Sequence, residues 1–96
     1  MKHCVGVLTV ELHFESSRSL KDRRSIMTSV KERLRHRFNV SIGEADFGEK
    51  WQRGGLIASC AGGSPTVVEE SLRAVLSFVE NDPRLLVIDP QIRYYE

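Results

Sequence analysis

The spacing of apolar residues along this chain changes from a strand period to a helix period and back, and this order constrains the fold more than any other feature. Over residues 4–14, apolar side chains such as Leu8 and Leu12 alternate with polar ones such as Glu11. Alternation at every second residue is typical of a strand with one buried face. Further on, apolar residues recur at helical spacing: Leu20, Met27, Val30, Leu34 and Phe38. The pattern predicts a long first strand and a first helix over Leu20–Arg37.

The rest of the chain repeats this change of period. A turn-forming stretch between two extended patterns predicts a hairpin, and Ser64 and Pro65 then open a second helix. The apolar stripe of that helix consists of Val68, Leu72, Val75, Leu76 and Val79. The remaining predicted elements are a strand over residues 40–43, a turn over 46–49, a strand over 51–61, a helix from Pro65 up to Asp82, and a strand over 85–95.

The order of these elements predicts an α+β fold of the ferredoxin-like β-α-β-β-α-β type. With right-handed crossovers, the four strands form an antiparallel sheet in the spatial order 4-1-3-2, and both helices lie on one face. A chain of 96 residues is close to the usual size of one domain. We therefore expect a single domain over residues 1–96.

The sheet face that the helices leave open is more apolar than a solvated face. If alternation is unbroken, its apolar residues are Val5, Val7, Ile57, Ala61, Leu85 and Val87. Exposed apolar faces of this kind mark contact surfaces, so we expect a homo-oligomer formed through the open face. A register shift of one residue would exchange the two faces and remove this expectation.

Composition and motifs narrow the function classes. The chain is 41% hydrophobic and 28% charged, and no apolar run approaches the roughly 20 residues of a membrane helix. Its start has no signal-peptide pattern, so we expect a cytoplasmic protein. Cys4 and Cys60 have no spacing for a metal or cluster, and His3, His13 and His36 show no metal-ligand spacing. We expect no cofactor, no metal, no membrane partner, no small-molecule substrate and no enzymatic activity.

Positive charge is concentrated in the first helix, although the formal net charge of the chain is only +1. Residues 18–37 contain eight of the 14 Lys and Arg residues and two acidic residues. From residue 41 onward, nine acidic residues outnumber five basic ones. On a helical wheel, four basic residues form one stripe about 21 Å long on a flank of the buried face. This basic stripe consists of Lys21, Arg24, Lys31 and Arg35.

The basic stripe supports two interpretations. Lys and Arg side chains that neutralise phosphates release counterions, so four of them can support weak, sequence-independent binding of RNA. A charged helix face is more commonly only solvated, with its long side chains covering apolar edges. In the first case the stripe is a nucleic-acid-binding site. In the second, the protein is a homodimeric protein–protein interaction module with no nucleic-acid role.

Two other groups of polar residues are expected to come together. Arg23 points into the apolar stripe near the helix start, and Glu44 occupies the helix-facing side of the second strand. A partly buried guanidinium needs a carboxylate, so we expect an Arg23–Glu44 ion pair. Glu11, His13 and Arg53 are expected at one end of the open face. They suit general acid–base work, although strand ends collect such residues without chemistry.

Trp51 opens the predicted third strand and is followed by Gln52 and Arg53. Aromatic and guanidinium faces stack unpaired bases of single-stranded nucleic acids. A tryptophan at the start of a strand is more commonly an edge of the core, and we expect that role here.

Three segments carry a family resemblance: residues 19–25 (SLKDRRS), 37–44 (RFNVSIGE) and 51–53 (WQR). In these segments the chain resembles the bacterial YlxP-like family of small ferredoxin-like proteins of unknown function. The resemblance spans nearly the whole chain, although after residue 62 only the pattern of a helix and a strand is shared. It brings no catalytic residues. Genes of that family often sit beside translation-initiation and ribosome-maturation genes, so the resemblance implies a role near RNA or the ribosome.

Overall fold

Six elements of secondary structure are present in the computed structural model, which describes residues 1–96. They are β1 (Cys4–His13), α1 (Leu20–Arg37), β2 (Ser41–Ala45), β3 (Arg53–Gly62), α2 (Pro65–Glu80) and β4 (Leu86–Tyr95). Helix α1 has the predicted bounds, and the Ser19 hydroxyl caps it by accepting a hydrogen bond from the Asp22 amide at 3.1 Å. Ser64 caps α2 in the same way. Neither helix combines the length and the apolar character that a membrane span requires.

The strand order is β2-β3-β1-β4, and all neighbouring strands are antiparallel. This is the predicted order 4-1-3-2 counted from the opposite edge. β1 and β3 form the centre of the sheet and pair from Cys4 opposite Gly62 to His13 opposite Arg53. The protein therefore has an α+β fold with two helices and a four-stranded antiparallel sheet.

Both helices pack over the even-numbered residues of β1. Helix α2 approaches this strand so closely that a Cβ atom at Gly6 would lie 2.3 Å from Val68 Cγ1 and 2.8 Å from Leu72 Cδ1. On the α1 side, a Cβ atom at Gly54 would lie 3.0 Å from the ring of Phe14. One core of 16 buried residues joins the sheet to both helices, including Leu8, Leu12, Val30, Leu34, Val68 and Leu72.

The edge strand β4 contains a bulge that changes which of its residues face outward. Its register with β1 shifts between Thr9 and Glu11, and Asp89 adopts a left-handed φ of 50°, which Asp tolerates better than most residues. Before the bulge, Leu86 and Ile88 lie opposite His13 and Glu11 on the open face. After the bulge, the open-face residues of β4 are Gln91, Arg93 and Tyr95.

The expectation for the open face is therefore correct for β1 and β3 and wrong for the last strand. Val5 and Ala61 are exposed there, whereas Leu85 is only 5% exposed within the core and Val87 packs against the core. The prediction assumed odd residues throughout. Cross-strand partners share a face, and before the bulge odd residues of β1 pair with even residues of β4.

Candidate nucleic-acid interface

The C-terminal half of the basic stripe has partners on the edge strand β2. The Lys31 ammonium lies 3.2 Å from a carboxylate oxygen of Glu44, and the two side chains are 20% and 45% exposed. Arg35 donates a hydrogen bond to the Ile42 carbonyl at 3.2 Å. The stripe therefore runs beside β2, and two of its four cations already contact the protein.

Arg33 and Arg37, on another side of α1, both contact an aromatic ring of α2. Their guanidinium carbons lie 5.7 Å and 5.3 Å from the centre of the Phe78 ring. Phe38 meets the same ring edge-to-face at 5.8 Å. These two arginines pack the C-terminal ends of the helices together through cation–π contacts.

The predicted Arg23–Glu44 ion pair is wrong. Nη1 of Arg23 instead donates to two backbone carbonyls of the β2–β3 connection and one at the start of β3: Gly48 at 3.2 Å, Lys50 at 2.6 Å and Arg53 at 3.3 Å. Glu44 pairs with Lys31, further along α1. The prediction assumed that only a carboxylate could satisfy the guanidinium, but a turn that offers several unpaired carbonyls does so as well.

The N-terminal half of the basic stripe has no partner within the protein. Lys21 and Arg24 are exposed, and neither side chain forms a hydrogen bond or an ion pair. Arg18, which precedes the helix, is also exposed, and only its backbone amide is engaged, donating to Asp22 Oδ2 at 2.9 Å. The sequence wheel did not include Arg18 because it lies outside the helix. The cations of this segment whose side chains form no hydrogen bond, ion pair or cation–π contact thus lie at the N-terminal end of α1.

The β2–β3 turn lies at this same end of the molecule, since Arg23 of α1 binds its carbonyls. Trp51 in that turn is 52% exposed, so the expectation that it forms an edge of the core is wrong. Gln52 reaches the β1–α1 loop, where Nε2 donates to the carbonyls of Glu15 at 3.3 Å and Ser17 at 3.4 Å. The exposure of Trp51 could have been predicted from the sequence, because Trp51 follows a run of turn-forming residues rather than an alternating strand.

Glu11, His13 and Arg53 do meet at the end of the open face. His13 lies opposite Arg53 in the β1–β3 register, and Arg53 Nη2 donates to Glu11 Oε1 in an ion pair. The Arg53 guanidinium also lies 5.7 Å from the centre of the Phe47 ring. Glu11 is therefore the acceptor of a structural ion pair with Arg53.

The two cysteines lie in β1 and β3, away from the N-terminal end of α1. Cys4 is buried and Cys60 half-buried, and neither is in a disulfide. Burial, followed by the neighbouring Cys4, raises the pKa of the Cys60 thiol, which disfavours the reactive thiolate. No group of three or more His, Cys, Asp or Glu side chains is arranged to hold a metal ion.

Fold and surface together define a small two-layer α+β protein with a basic helix beside an edge strand. The chain belongs to the family described as "Protein of unknown function (DUF503)", whose profile matches residues 5–92. It is 28% identical over 81 residues to the "Uncharacterized protein YlxP" of Bacillus subtilis (strain 168), covering 84% of this chain and 88% of that protein. The resemblance to the YlxP-like family is thereby confirmed.

Among solved structures, the chain is similar to the "De novo designed protein Foldit4". The TM-score is 0.56 with 10% sequence identity, and the match covers 99% of this chain and 98% of that one. At this identity, the similarity concerns the fold alone.

Proposed function

We propose that this protein is a small RNA- or ribosome-associated binding protein that contacts phosphates through Lys21, Arg24, Lys31 and Arg35. The observation that carries the proposal is the placement of free charge: Arg18, Lys21 and Arg24 are exposed and unpartnered at the N-terminal end of α1. The positive end of the helix dipole disfavours a cation in the first turn, here Lys21, by about 0.3–1 kcal/mol at low salt, and Asp22 in the same turn offsets part of this. Cations that lower stability at one end of a helix are explained if an anionic partner binds them.

Lys31 and Arg35 can extend this surface although both have partners. The Lys31–Glu44 pair is partly exposed on the Glu44 side, and surface ion pairs contribute only about 0–1 kcal/mol, so exchanging the carboxylate for a phosphate costs little. Arg35 gives one N–H to Ile42 and retains other donors for a second acceptor. The four cations thus form a track along α1, with the two free ones binding most strongly.

A filter-binding titration against a structured RNA at about 50 and about 200 mM salt tests the proposal. The variant Lys21→Glu/Arg24→Glu should lower the affinity by on the order of tenfold or more. The slope of the logarithm of affinity against the logarithm of salt concentration should also become shallower by about 1.5, because each lost phosphate contact removes about 0.7–0.9 from it. Lys31→Glu/Arg35→Glu should have a smaller effect.

The matched control is Arg73→Glu/Arg93→Glu, which reverses the same number of charges on α2 and β4. These exposed arginines lie away from α1, so this variant should retain most of the affinity and the salt slope. Equal losses in both double variants would show that only net charge matters. That result, or unchanged binding by Lys21→Glu/Arg24→Glu, would contradict the proposal.

An alternative function, a homodimeric protein–protein interaction module, is favoured by the open sheet face. Val5, Leu86, Ile88 and Tyr95 on that face are 40%, 57%, 40% and 57% exposed. Sedimentation equilibrium should then show a mass twice 10.9 kDa, reduced to the monomer by Ile88→Lys. Val67→Lys, at an exposed apolar position on α2, is the control. A monomer at high concentration would refute this alternative.

Two further assignments accompany the proposal. The two β-α-β crossovers and the order β2-β3-β1-β4 support a ferredoxin-like fold. The free thiols of Cys4 and Cys60 support a cytoplasmic location, because oxidising compartments favour disulfides. The location would be tested by fractionating cells that express the tagged protein and by asking whether trypsin added outside intact cells digests it.

A further inference from the structure

Trp51, the single tryptophan of the chain, is held outside the core. It is 52% exposed in the turn between β2 and β3. Tryptophan is among the largest contributors of buried apolar surface in a small domain. Leaving the indole in solvent forgoes that stabilisation, so a binding role explains its exposure better than a role in folding does.

The turn that carries Trp51 is fixed on both sides. Arg23 of α1 donates to the carbonyls of Gly48, Lys50 and Arg53, which bracket Trp51 in the chain. The Phe14 amide donates to the carbonyl of Gln52 at 2.8 Å, joining the turn to the end of β1. The indole is therefore presented from an ordered backbone, so a ligand that stacks on it does not need to order the turn first.

A cleft of about 440 Å³ opens beside the indole. It is a shallow, open depression rather than an enclosed pocket, which suits a flat base stacked on an exposed ring. Its lining combines an aromatic face with one carboxylate, one amide and three basic side chains, of which Arg53 is already paired with Glu11: His13, Glu49, Lys50, Trp51, Gln52 and Arg53. An aromatic platform with cations beside it and hydrogen-bonding groups around it is the chemistry that binds an unpaired nucleotide.

We propose that this Trp51 cleft binds an unpaired base of RNA, stacked on the indole, with Lys50 close to the adjoining phosphate. The inference rests on the proposed binding of RNA by α1 and names the part of the RNA that is recognised. Arg23 supplies the link, because it lies between Lys21 and Arg24 on α1 and its Nη1 is 2.6 Å from the Lys50 carbonyl. The cleft lies on the open-face side of the turn, since His13 and Arg53 line it. A flexible single strand that leaves the basic stripe at the N-terminus of α1 can pass around the turn to reach it, whereas a duplex keeps its base faces stacked inside.

The test uses the whole protein and two RNAs with equal numbers of phosphates, a hairpin with an unpaired loop and a perfect duplex. Because Trp51 is the single tryptophan, its fluorescence reports directly on the cleft. Hairpin RNA should quench this fluorescence, and duplex RNA should not. Trp51→Ala should weaken binding of the hairpin by roughly 5- to 150-fold, as expected for the loss of one base–aromatic stack. It should leave binding of the duplex unchanged.

Two variants keep the test specific. Trp51→Phe retains a stacking ring and should recover most of the hairpin affinity. Val67→Ala removes apolar surface at another position that is also 52% exposed and should have no effect. Circular dichroism and thermal melting check that each variant is folded.

The outcomes separate this inference from the proposal on which it rests. If the hairpin binds, Lys21→Glu/Arg24→Glu weakens it, and Trp51→Ala has no effect, RNA binding by α1 stands and the Trp51 cleft is overturned. Equal losses for hairpin and duplex in Trp51→Ala also overturn it, since stacking requires an unpaired base. If neither RNA binds the wild-type protein, both proposals fail together.

Discussion

Replacing Arg23 with methionine should loosen the β2–β3 turn while leaving α1 intact. Methionine keeps the length and apolar stem of the side chain and retains good helix propensity, so only the guanidinium is lost. The three carbonyls that Nη1 contacts, at 3.2, 2.6 and 3.3 Å, would then have to be hydrated. The comparison variant is Arg24→Met, one residue further along the same helix, where the guanidinium has no partner in the structure.

The expected magnitude follows from the number of protons on one nitrogen. Nη1 carries two N–H groups, so the three contacts of Arg23 amount to about two full hydrogen bonds, one of them shared. A hydrogen bond to a charged group contributes about 1.5–3 kcal/mol, and access of water to this turn reduces that figure by about half. We expect Arg23→Met to lower the free energy of unfolding by about 1.5–3 kcal/mol. In a domain of this size that corresponds to a fall of about 6–24 °C in Tm.

Urea denaturation followed by circular dichroism measures this difference, and the anisotropy of Trp51 fluorescence measures mobility in the turn. Arg24→Met should change the free energy of unfolding by less than about 0.5 kcal/mol, as is usual at exposed positions. If Arg23→Met and Arg24→Met unfold at the same urea concentration, the carbonyl contacts do not stabilise the protein. Unchanged anisotropy in Arg23→Met would further refute the idea that Arg23 fixes the turn.

Two other predictions concern packing and pH. Gly6→Ala should destabilise the protein by about 1–3 kcal/mol in urea denaturation, because its Cβ atom would lie 2.3 Å from Val68 Cγ1. The control is Gly43→Ala, whose Cβ atom would meet no atom within 4 Å and which should not destabilise the protein. The side-chain hydrogen bond from Arg84 lowers the pKa of Asp82 below its unfolded value. This carboxylate therefore stabilises the fold above the unfolded pKa of about 4, and the stabilisation is lost as the pH falls through the lower folded pKa. Melting curves from pH 6 down to about pH 2 should therefore show a weaker loss of Tm in Asp82→Asn, and an unchanged profile would contradict this assignment.

Local patterns were sufficient to predict most of the fold. The apolar stripe of α1 and the break at Ser64 depend only on neighbouring residues, and connection rules then limited the strand order. The bulge at Asp89 could not be predicted in this way, because Asp followed by Pro90 is equally typical of a turn between separate elements. As a result, Leu85 and Val87 were assigned to the open face of the sheet, although they face the core.

The candidate site was less predictable because it depends on contacts between distant elements. A helical wheel places Lys21 and Lys31 on the same flank, but only the position of β2 decides that Lys31 meets Glu44 while Lys21 has no partner. Arg23 was correctly separated from this flank, yet its partners are carbonyls of a turn whose path no residue pattern specifies. Side-chain type predicted the charge, and tertiary structure decided which charges are free.

The distribution of the α1 cations follows the direction of the helix dipole in one half of the helix and opposes it in the other. Arg33, Arg35 and Arg37 lie towards the C-terminal end, where the dipole favours positive charge, and contacts with α2 or β2 hold all three. Lys21 and Arg24 lie towards the opposite end, where the dipole disfavours positive charge in the first turn, and neither forms an ion pair although Asp22 is in that turn. A helix optimised only for stability would carry its free cations at the other end. The unpaired cations at the N-terminal end are therefore the part of α1 that contacts within the protein do not account for, and the proposed RNA partner would account for them.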